Sequence, residues 1–370
     1  MKADVLSMLA GRRPAKGPSK ETLNHTMLIA LVTGLDPVAE APRAFRLAYE
    51  RLGIDVVNRV PDRPAPPPAP PGTTRPVRAA DHVDDYAHDY VAAHLGVYDT
   101  VSRVRFPFDT VEEFLAADPT EIDLDYAKLL TPVPHPLDRK DVARRQRLLG
   151  EAGLYYCQLY TTLFMWGVEY LGWEVFLLAG ALDPEALDRL LLAPASRVSQ
   201  ALTAELAACE SPFVFCHDDL ADRRGPVFPP EWYDRYVFSR YKELFAPAKA
   251  AGKPVIFVAD GNMDVFLERL LAVGVDGVML ENPATDFDLV IDAFSDRIII
   301  GGIDTGLLHS ETPEEIRDHV LEVHDRTAHL PGFIMSTPGG LHDSVPLENA
   351  IAYFDARAAT GHTEKDWRPT

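Results

Sequence analysis

The chain of 370 residues contains few cysteines, and their spacing is unpaired. Cys157, Cys209 and Cys216 fit neither a disulfide framework nor a cysteine-rich zinc module. No run approaches the roughly 18 apolar residues that a membrane-spanning helix needs. The first twenty residues lack a long apolar stretch followed by a small-residue cleavage site, which argues against a secretory signal peptide. We therefore expect a cytoplasmic protein.

The sequence also contains fewer basic residues than acidic ones. The 36 Lys and Arg residues face 56 Asp and Glu residues, which gives a formal net charge of -20. Nucleic acids and anionic lipids are bound mainly through clustered Lys and Arg, so neither nucleic acid nor membrane is an expected partner. Hydrophobic residues make up 47% of the chain, as in ordinary globular proteins. A small-molecule substrate is the partner that this composition leaves open.

Proline is concentrated in one segment, residues 62–76, whose composition favours an extended conformation. A helix (PVAEAPRAFRLAYERLG) and a strand (IDVVNRV) precede it, so we predict a surface excursion within one domain. A second helix is predicted after it, across AADHVDDYAHDYVAAHLG. The expected organisation is an N-terminal helical extension at 1–50, a barrel at 51–360 that carries the insertion, and a tail at 361–370.

From Pro212 onward the sequence becomes regular. Short apolar runs alternate with amphipathic helices; the runs are FVFCHDD, PVIFVADG, GVMLENP, RIIIGGIDT and GFIMSTPGG. Such alternation is typical of a parallel sheet covered by helices. Five units, with room upstream for three more, predict an α/β fold of the (β/α)8 TIM-barrel class. An open doubly wound sheet is the alternative, although no GxGxxG or GxxxxGK[ST] motif follows a strand.

In a barrel the active site lies where the strands end. The polar and small residues at these ends are His217, Asp218, Asp219, Asp260, Asn262, Glu281, Asp304, Ser336, Gly339, Gly340 and His342. Each carboxylate taken alone could be a helix N-cap. Four successive strands nevertheless deliver an acid to the same rim, where like charges raise one another's pKa or require a cation.

The densest of these elements is His217-Asp218-Asp219. Alternation along a strand directs His217 and Asp219 to one face and Asp218 to the other. His217 and Asp219 could ligate a divalent metal or act as an acid–base pair. The competing interpretation is that His217 has only a structural role. Arg223 could clamp a substrate carboxylate or simply be solvated. The Gly339-Gly340 turn could hold an anion or serve only as a tight turn.

The run HDDLADRRGPVFPPEWYDRYVFSRYKELFAPAKAAGKPVIFVADG, with IIIGGIDTGLL and GGLHDSVPLENAIAYF after it, resembles the C-terminal half of the uroporphyrinogen decarboxylase superfamily. The resemblance covers roughly residues 210–356. It implies a (β/α)8 barrel with either cofactor-independent decarboxylase activity or zinc-dependent methyl transfer between corrinoid proteins and thiols.

Both branches have signatures that this sequence lacks. The methyltransferases hold zinc with a His-x-Cys and a cysteine of the last loop, where this chain has Val258-Ala259-Asp260 and Gly339-Gly340. The decarboxylases carry an arginine-rich N-terminal motif and an Asp that holds pyrrole nitrogens, and neither is recognisable. The resemblance thus implies a divergent member with an acidic, cysteine-free site and a substrate other than uroporphyrinogen.

Three hypotheses follow. The first is a lyase that decarboxylates a polar carboxylated substrate without a cofactor, using Asp219, Asp260 and His217 as catalytic residues and the remaining strand-end residues and Arg223 for binding. The second is a corrinoid- or folate-linked methyltransferase or demethylase, with a divalent metal on His217, Asp219, Asp260 and Glu281 and a corrinoid protein as partner. The third is a non-catalytic ligand-binding barrel. The aromatic stretch LFMWGVEYLGW could be core or a homodimer surface.

Overall fold

A computed structural model describes residues 2–64 except 13 and 15, together with 74–76, 90–94, 99–103, 106–125, 139–280, 283–363 and 367. Its central sheet contains eight parallel strands, one of which is interrupted. They are β1 (Ser19–Lys20), β2 (Val56–Val57), β3 (Leu154–Tyr155 and Gln158–Leu159), β4 (Val214–His217), β5 (Val255–Ala259), β6 (Gly277–Leu280), β7 (Ile298–Gly302) and β8 (Phe333–Ser336). β4 to β8 occupy the five predicted apolar runs.

The sheet closes on itself. β1 pairs with β2 on one side and with β8 on the other, so the start and the end of the sheet are joined. The first half of β3 pairs with β2 and its second half pairs with β4. The interruption at Tyr156 and Cys157 therefore leaves the ring intact. The predicted (β/α)8 barrel is confirmed.

Helices surround this ring. Those of the N-terminal half are Lys2–Leu9, Thr26–Thr33, Ala41–Leu52, Val111–Ala116, Arg139–Leu149 and Phe164–Leu182, and a continuous helical stretch follows as Pro184–Leu187, Asp188–Leu192 and Ala193–Ala207. Those of the C-terminal half are Pro230–Tyr233, Asp234–Phe238, Ser239–Ala250, Leu267–Ala272, Phe287–Ala293, Thr305–Ser310, Pro313–Thr327 and Leu347–Ala359. Among the described helices, none is both long enough and apolar enough to cross a membrane.

The interior of the barrel is a separate apolar cluster. It takes alternate residues of the strands, as the pleat of a strand requires: Val56, Leu154, Tyr156, Phe213, Phe215, Ile256, Val258, Met279, Ile300 and Ile334. Val5 and Met8 of the helix Lys2–Leu9 belong to the same cluster. This helix therefore closes the N-terminal end of the barrel, and the opposite end is the mouth.

The N-terminal segment contributes to the sheet. β1 and the helices Thr26–Thr33 and Ala41–Leu52 all lie within residues 1–50, which the sequence assigned to an extension. The barrel sheet consequently begins at Ser19. Two polar residues give no apolar run, so β1 carries no periodic signal.

A small antiparallel sheet begins at the end of the proline-rich segment. Thr74–Pro76 pairs with Tyr90–His94, which also pairs with Asp99–Arg103. The helix predicted across AADHVDDYAHDYVAAHLG is therefore wrong in its second half, because pairing on both sides overrides local helix propensity. Most of the proline-rich insertion, residues 65–73, lies outside the described residues.

The aromatic helix Phe164–Leu182 is mostly core. Phe164, Trp166 and Phe176 are buried, whereas Trp173 is 50% exposed. The helix bends at Gly172, whose φ of 74° lies in the left-handed region that glycine tolerates.

Candidate functional site

His217 and Asp219 form a pair at the mouth of the barrel. His217 is the last residue of β4, and its Nε2 lies 3.0 Å from Oδ1 of Asp219. The imidazole is almost fully buried, whereas the Asp219 side chain keeps 19% of its surface exposed. The alternation predicted for a strand end is what brings these two side chains to one face. The pair is therefore within reach of a ligand in the mouth.

The other ring nitrogen of His217 is also held. Nδ1 lies 2.8 Å from the carbonyl oxygen of Tyr160, to which it donates a hydrogen bond, and the Tyr160 ring lies 4.7 Å from the imidazole. Burial alone would lower the pKa of His217, but the hydrogen bond and negative charge of Asp219 outweigh it and raise the pKa to about 9. At neutral pH the ring is therefore an imidazolium that donates through both nitrogens.

Asp219 is the anionic partner. Burial opposes its ionisation, but the hydrogen bond and charge of His217 hold the pKa of Asp219 below its ordinary range. Its Oδ1 also accepts a hydrogen bond of 2.7 Å from the backbone N–H of Asp260. The carboxylate is thereby fixed between two neighbouring strands.

Asp260 completes the group. It follows β5 directly, is exposed, and precedes Gly261, whose φ of 82° turns the chain sharply. One ligand atom from each of His217, Asp219 and Asp260 can be chosen so that all three lie within 4.8 Å of one another. We call these residues the His–Asp–Asp cluster. It unites the three predicted catalytic residues.

Asp218 belongs to the fold. Its oxygens accept hydrogen bonds from the backbone N–H groups of Leu163, Phe164 and Met165 and from the Tyr241 hydroxyl. Burial raises the pKa of Asp218 to about 6, although these hydrogen bonds oppose the shift. The side chain is fully buried on the outer side of β4 and anchors the start of the helix Phe164–Leu182. The structure therefore does not place it for substrate binding.

Three other predicted binding residues lie in turns or at a helix cap. The Asn262 side chain accepts a hydrogen bond from the N–H of Asp264. Asp304 is the N-cap of the helix Thr305–Ser310, in agreement with the cap interpretation of single carboxylates. Arg223 is exposed in the turn after the short strand Ala221–Asp222. Glu281 lies outside the described residues.

The last loop provides the remaining predicted residues. Gly339 donates its backbone N–H to the Thr305 hydroxyl. Gly340 has a φ of 80° and leaves no room for a side chain, because a Cβ atom would meet the Thr22 carbonyl oxygen at 2.9 Å. His342 is half-buried and contacts the Ser344 hydroxyl. Ser336 is fully buried at the end of β8.

Lys20 is a polar residue of the barrel that sequence reasoning missed. It faces inward from β1, because its partner Val56 belongs to the interior cluster. Burial and the charge of Arg59 lower the pKa of Lys20 to about 8, although Glu21 acts in the opposite direction. A buried lysine between short, polar strand residues has no local signature. Only the long-range pairing of β1 reveals it.

The donor set argues against a thiolate zinc centre. The three cysteines are buried elsewhere in the fold, and none of them belongs to the His–Asp–Asp cluster. The His–Asp–Asp cluster instead offers one nitrogen and carboxylate oxygens, which suit a harder divalent ion. Such an ion would have to displace the proton that His217 shares with Asp219.

The closed sheet and the polar cluster at its mouth place this chain in the class of (β/α)8 barrel proteins with a candidate site at the strand ends. The family model for uroporphyrinogen decarboxylase (URO-D) matches residues 174–360, just over half of the chain. The chain therefore belongs to the URO-D family, as a divergent member.

Individual relatives agree with this assignment. The uroporphyrinogen decarboxylase of Carboxydothermus hydrogenoformans is 29% identical over 244 residues, which cover 62% of this chain and 66% of the relative. That of Alkalilimnicola ehrlichii is 29% identical over 178 residues, 47% of each chain. The chain thus spans between about half and two thirds of the length of these relatives.

A solved structure supports the fold over the whole chain. A methyltransferase from Methanosarcina mazei superposes with a TM-score of 0.62 at 14% identity, covering 97% of this chain and 98% of that one. At this identity the likeness concerns the fold alone.

Proposed function

We propose that this URO-D family member is a decarboxylase-type lyase that acts on a polar, carboxylated small molecule at the His–Asp–Asp cluster. The observation that carries the proposal is the imidazolium–carboxylate pair of His217 and Asp219, 3.0 Å apart at the mouth. Such a pair combines a proton donor with a fixed negative charge.

Decarboxylation requires both functions. When the carbon–carbon bond breaks, its electron pair must enter an electron-poor part of the substrate, such as a protonated nitrogen. Asp219 and Asp260 would stabilise that positive charge. His217 would then donate the Nε2 proton to the carbanionic carbon as carbon dioxide leaves, and solvent would return the proton. Relatives with the name uroporphyrinogen decarboxylase support this class of reaction.

The proposal is tested by carbon dioxide release from a panel of aliphatic, heteroaromatic and porphyrinogen carboxylic acids. We expect turnover by the native chain and a loss of at least about a hundred-fold in His217→Gln and Asp219→Asn, as for removal of a general acid or its partner. Asp222→Asn is the matched control, because Asp222 pairs with Arg224 in the same loop. Full activity of both cluster variants, or no turnover of any acid, would contradict the proposal.

A second candidate is metal-dependent methyl transfer from a corrinoid or folate donor. Two observations favour it. The three possible ligand atoms lie within 4.8 Å of one another, and the Tyr160 carbonyl accepts a hydrogen bond from Nδ1 of His217, which would orient Nε2 towards a metal ion. Elemental analysis of the purified protein separates the candidates. A stoichiometric transition metal that is lost in Asp260→Ala supports this candidate, whereas active metal-free protein excludes it.

A further inference from the structure

Two of the three cysteines lie side by side on the outer side of the sheet. Cys157 belongs to the interruption of β3, next to Tyr156, which faces the barrel interior. Alternation along the strand directs Cys157 outward, into the apolar layer between sheet and helices that also contains Cys209. Cys209 follows the end of the helix Ala193–Ala207, and its S–H donates to the Glu205 carbonyl oxygen at 3.3 Å. A side-chain hydrogen bond joins the two thiols.

A lysine lies beside this pair. Lys253 precedes β5, and its ammonium group donates a hydrogen bond to the backbone carbonyl oxygen of Cys209. Its charge acts on both Cys209 and Cys157. Lys253 also lines a cavity of about 490 Å³ at the N-terminal end of the barrel, together with Met8 and Lys249. This cavity brings solvent to the lysine that contacts Cys209.

The two thiols differ in acidity. The hydrogen bond from Cys157 lowers the pKa of the Cys209 thiol; burial opposes this effect, and the charge of Lys253 reinforces it. The same hydrogen bond, together with burial, raises the pKa of Cys157. Cys209 is therefore the thiol that ionises, and Cys157 is its protonated neighbour. A thiolate with a second thiol beside it is the arrangement of a redox-active cysteine pair.

Cys216 has none of these features. It is fully buried in β4, and burial and the charge of Asp218 raise the pKa of its thiol. Such a thiol is inert, because the thiolate is the nucleophile. The chain thus contains an internal control for the reactivity of the other two cysteines.

We propose that Cys157 and Cys209, with Lys253 as the activating cation, form a redox-active dithiol that a hydroperoxide oxidises to a disulfide. The Cys209 thiolate attacks a peroxide oxygen, so the O–O bond breaks, hydroxide leaves and Cys209 becomes a sulfenic acid. The Cys157 sulfur then attacks the sulfenic sulfur; the S–S bond forms, the S–O bond breaks, and water leaves with the Cys157 proton. Overall the two thiols are oxidised and hydrogen peroxide is reduced to water. This inference is independent of the proposed function.

Peptide mapping by mass spectrometry under non-reducing conditions tests the dithiol in the full chain treated with hydrogen peroxide. We expect a cross-link between the Cys157 and Cys209 peptides that dithiothreitol releases, while Cys216 stays a free thiol. This measurement on the native chain does not depend on the folding of any variant. No cross-link between Cys157 and Cys209, or equal oxidation of Cys216, would overturn the proposal.

Two alanine variants test the order of the steps. Cys157→Ala removes the second thiol, so a sulfenic acid that dimedone traps should accumulate at Cys209. Cys209→Ala should give neither a cross-link nor a dimedone label at Cys157, because the Cys157 thiol stays protonated. A label at Cys157 in Cys209→Ala that equals the label at Cys209 in Cys157→Ala would contradict the assigned roles.

The contribution of the lysine is measured by the rate at which peroxide consumes the Cys209 thiol. Lys253→Met should slow this reaction on the order of ten-fold, as a rise of one unit in the pKa of the thiol would do. Lys249→Met is the matched control, because Lys249 lines the same cavity but pairs with Asp276. An equal rate in the native chain and Lys253→Met, or an equal decrease in both lysine variants, would reject Lys253 as the activating cation.

Discussion

Asp218 and Asp219 are adjacent in sequence and lie on opposite faces of the barrel wall. The Asp218 carboxylate is buried against the backbone of Leu163, Phe164 and Met165, whereas Asp219 contacts His217 at the mouth. Asp218 therefore stabilises the fold, and Asp219 belongs to the candidate site.

This separation predicts unequal losses of stability. Asp218→Ala leaves three backbone N–H groups and the Tyr241 hydroxyl without their acceptor, so we expect the free energy of unfolding to fall by roughly 3 kcal/mol or more. Asp219→Ala should cost less, because its carboxylate is partly exposed. Urea denaturation of both variants measures the difference. Equal losses of stability in the two variants would show that Asp218 is not more important for the fold than Asp219.

The protonation of His217 can be followed directly. Its imidazole C–H resonances should titrate with a midpoint near the pKa of about 9 in the native chain. In Asp219→Asn the raising contribution of the carboxylate is removed while burial remains, so the midpoint should fall by more than one unit. NMR titration measures this, and the spectrum of His217→Gln provides the assignment. A native midpoint near 6.5 would show that the ion pair does not form.

Stability should depend on pH through the same histidine. The folded-state pKa of about 9 exceeds the ordinary value of 6.5, so the stabilisation is complete below pH 6.5 and is lost as the pH rises through about 9. The free energy of unfolding of the native chain should exceed that of His217→Gln most at pH 6. The excess should shrink by pH 10, with an upper bound of about 3 kcal/mol on the change. Urea denaturation of both proteins across this pH range provides the test. A difference in unfolding free energy that stays constant with pH would show that His217 is not the source of the pH dependence.

Gly261 sets the position of Asp260. Its φ of 82° is costly for any other residue, and a Cβ atom would meet the Ala221 carbonyl oxygen at 2.2 Å. Gly261→Ala should therefore destabilise the chain by at least about 1 kcal/mol and displace Asp260 from Asp219. Gly252 is the control, because its φ of 68° is similar but the space around its Cβ position is open. The loss of stability in Gly252→Ala therefore measures the cost of the positive φ without the steric clash. Calorimetric Tm values for the two variants should differ, with the lower value for Gly261→Ala.

The sequence allowed most of the C-terminal half to be predicted. β4 to β8 are nearly continuous apolar runs, as buried parallel strands require, and strand alternation paired His217 with Asp219. β1 was missed because Ser19 and Lys20 have no apolar pattern. The roles of Asp218 and Lys20 depend on partners far along the chain, the backbone near Leu163 and the strand β8, and local patterns do not encode such pairings.

The joining of β1 to β8 also bears on how the chain is made. Met335, the partner of Ser19, is synthesised more than 300 residues after it. Until then β1 has an unpaired edge, which is a template for association with other chains. Contacts of such long sequence separation form slowly. Barrel closure therefore requires β8, and a chain that ends before Phe333 leaves one edge of β1 exposed to association with other chains.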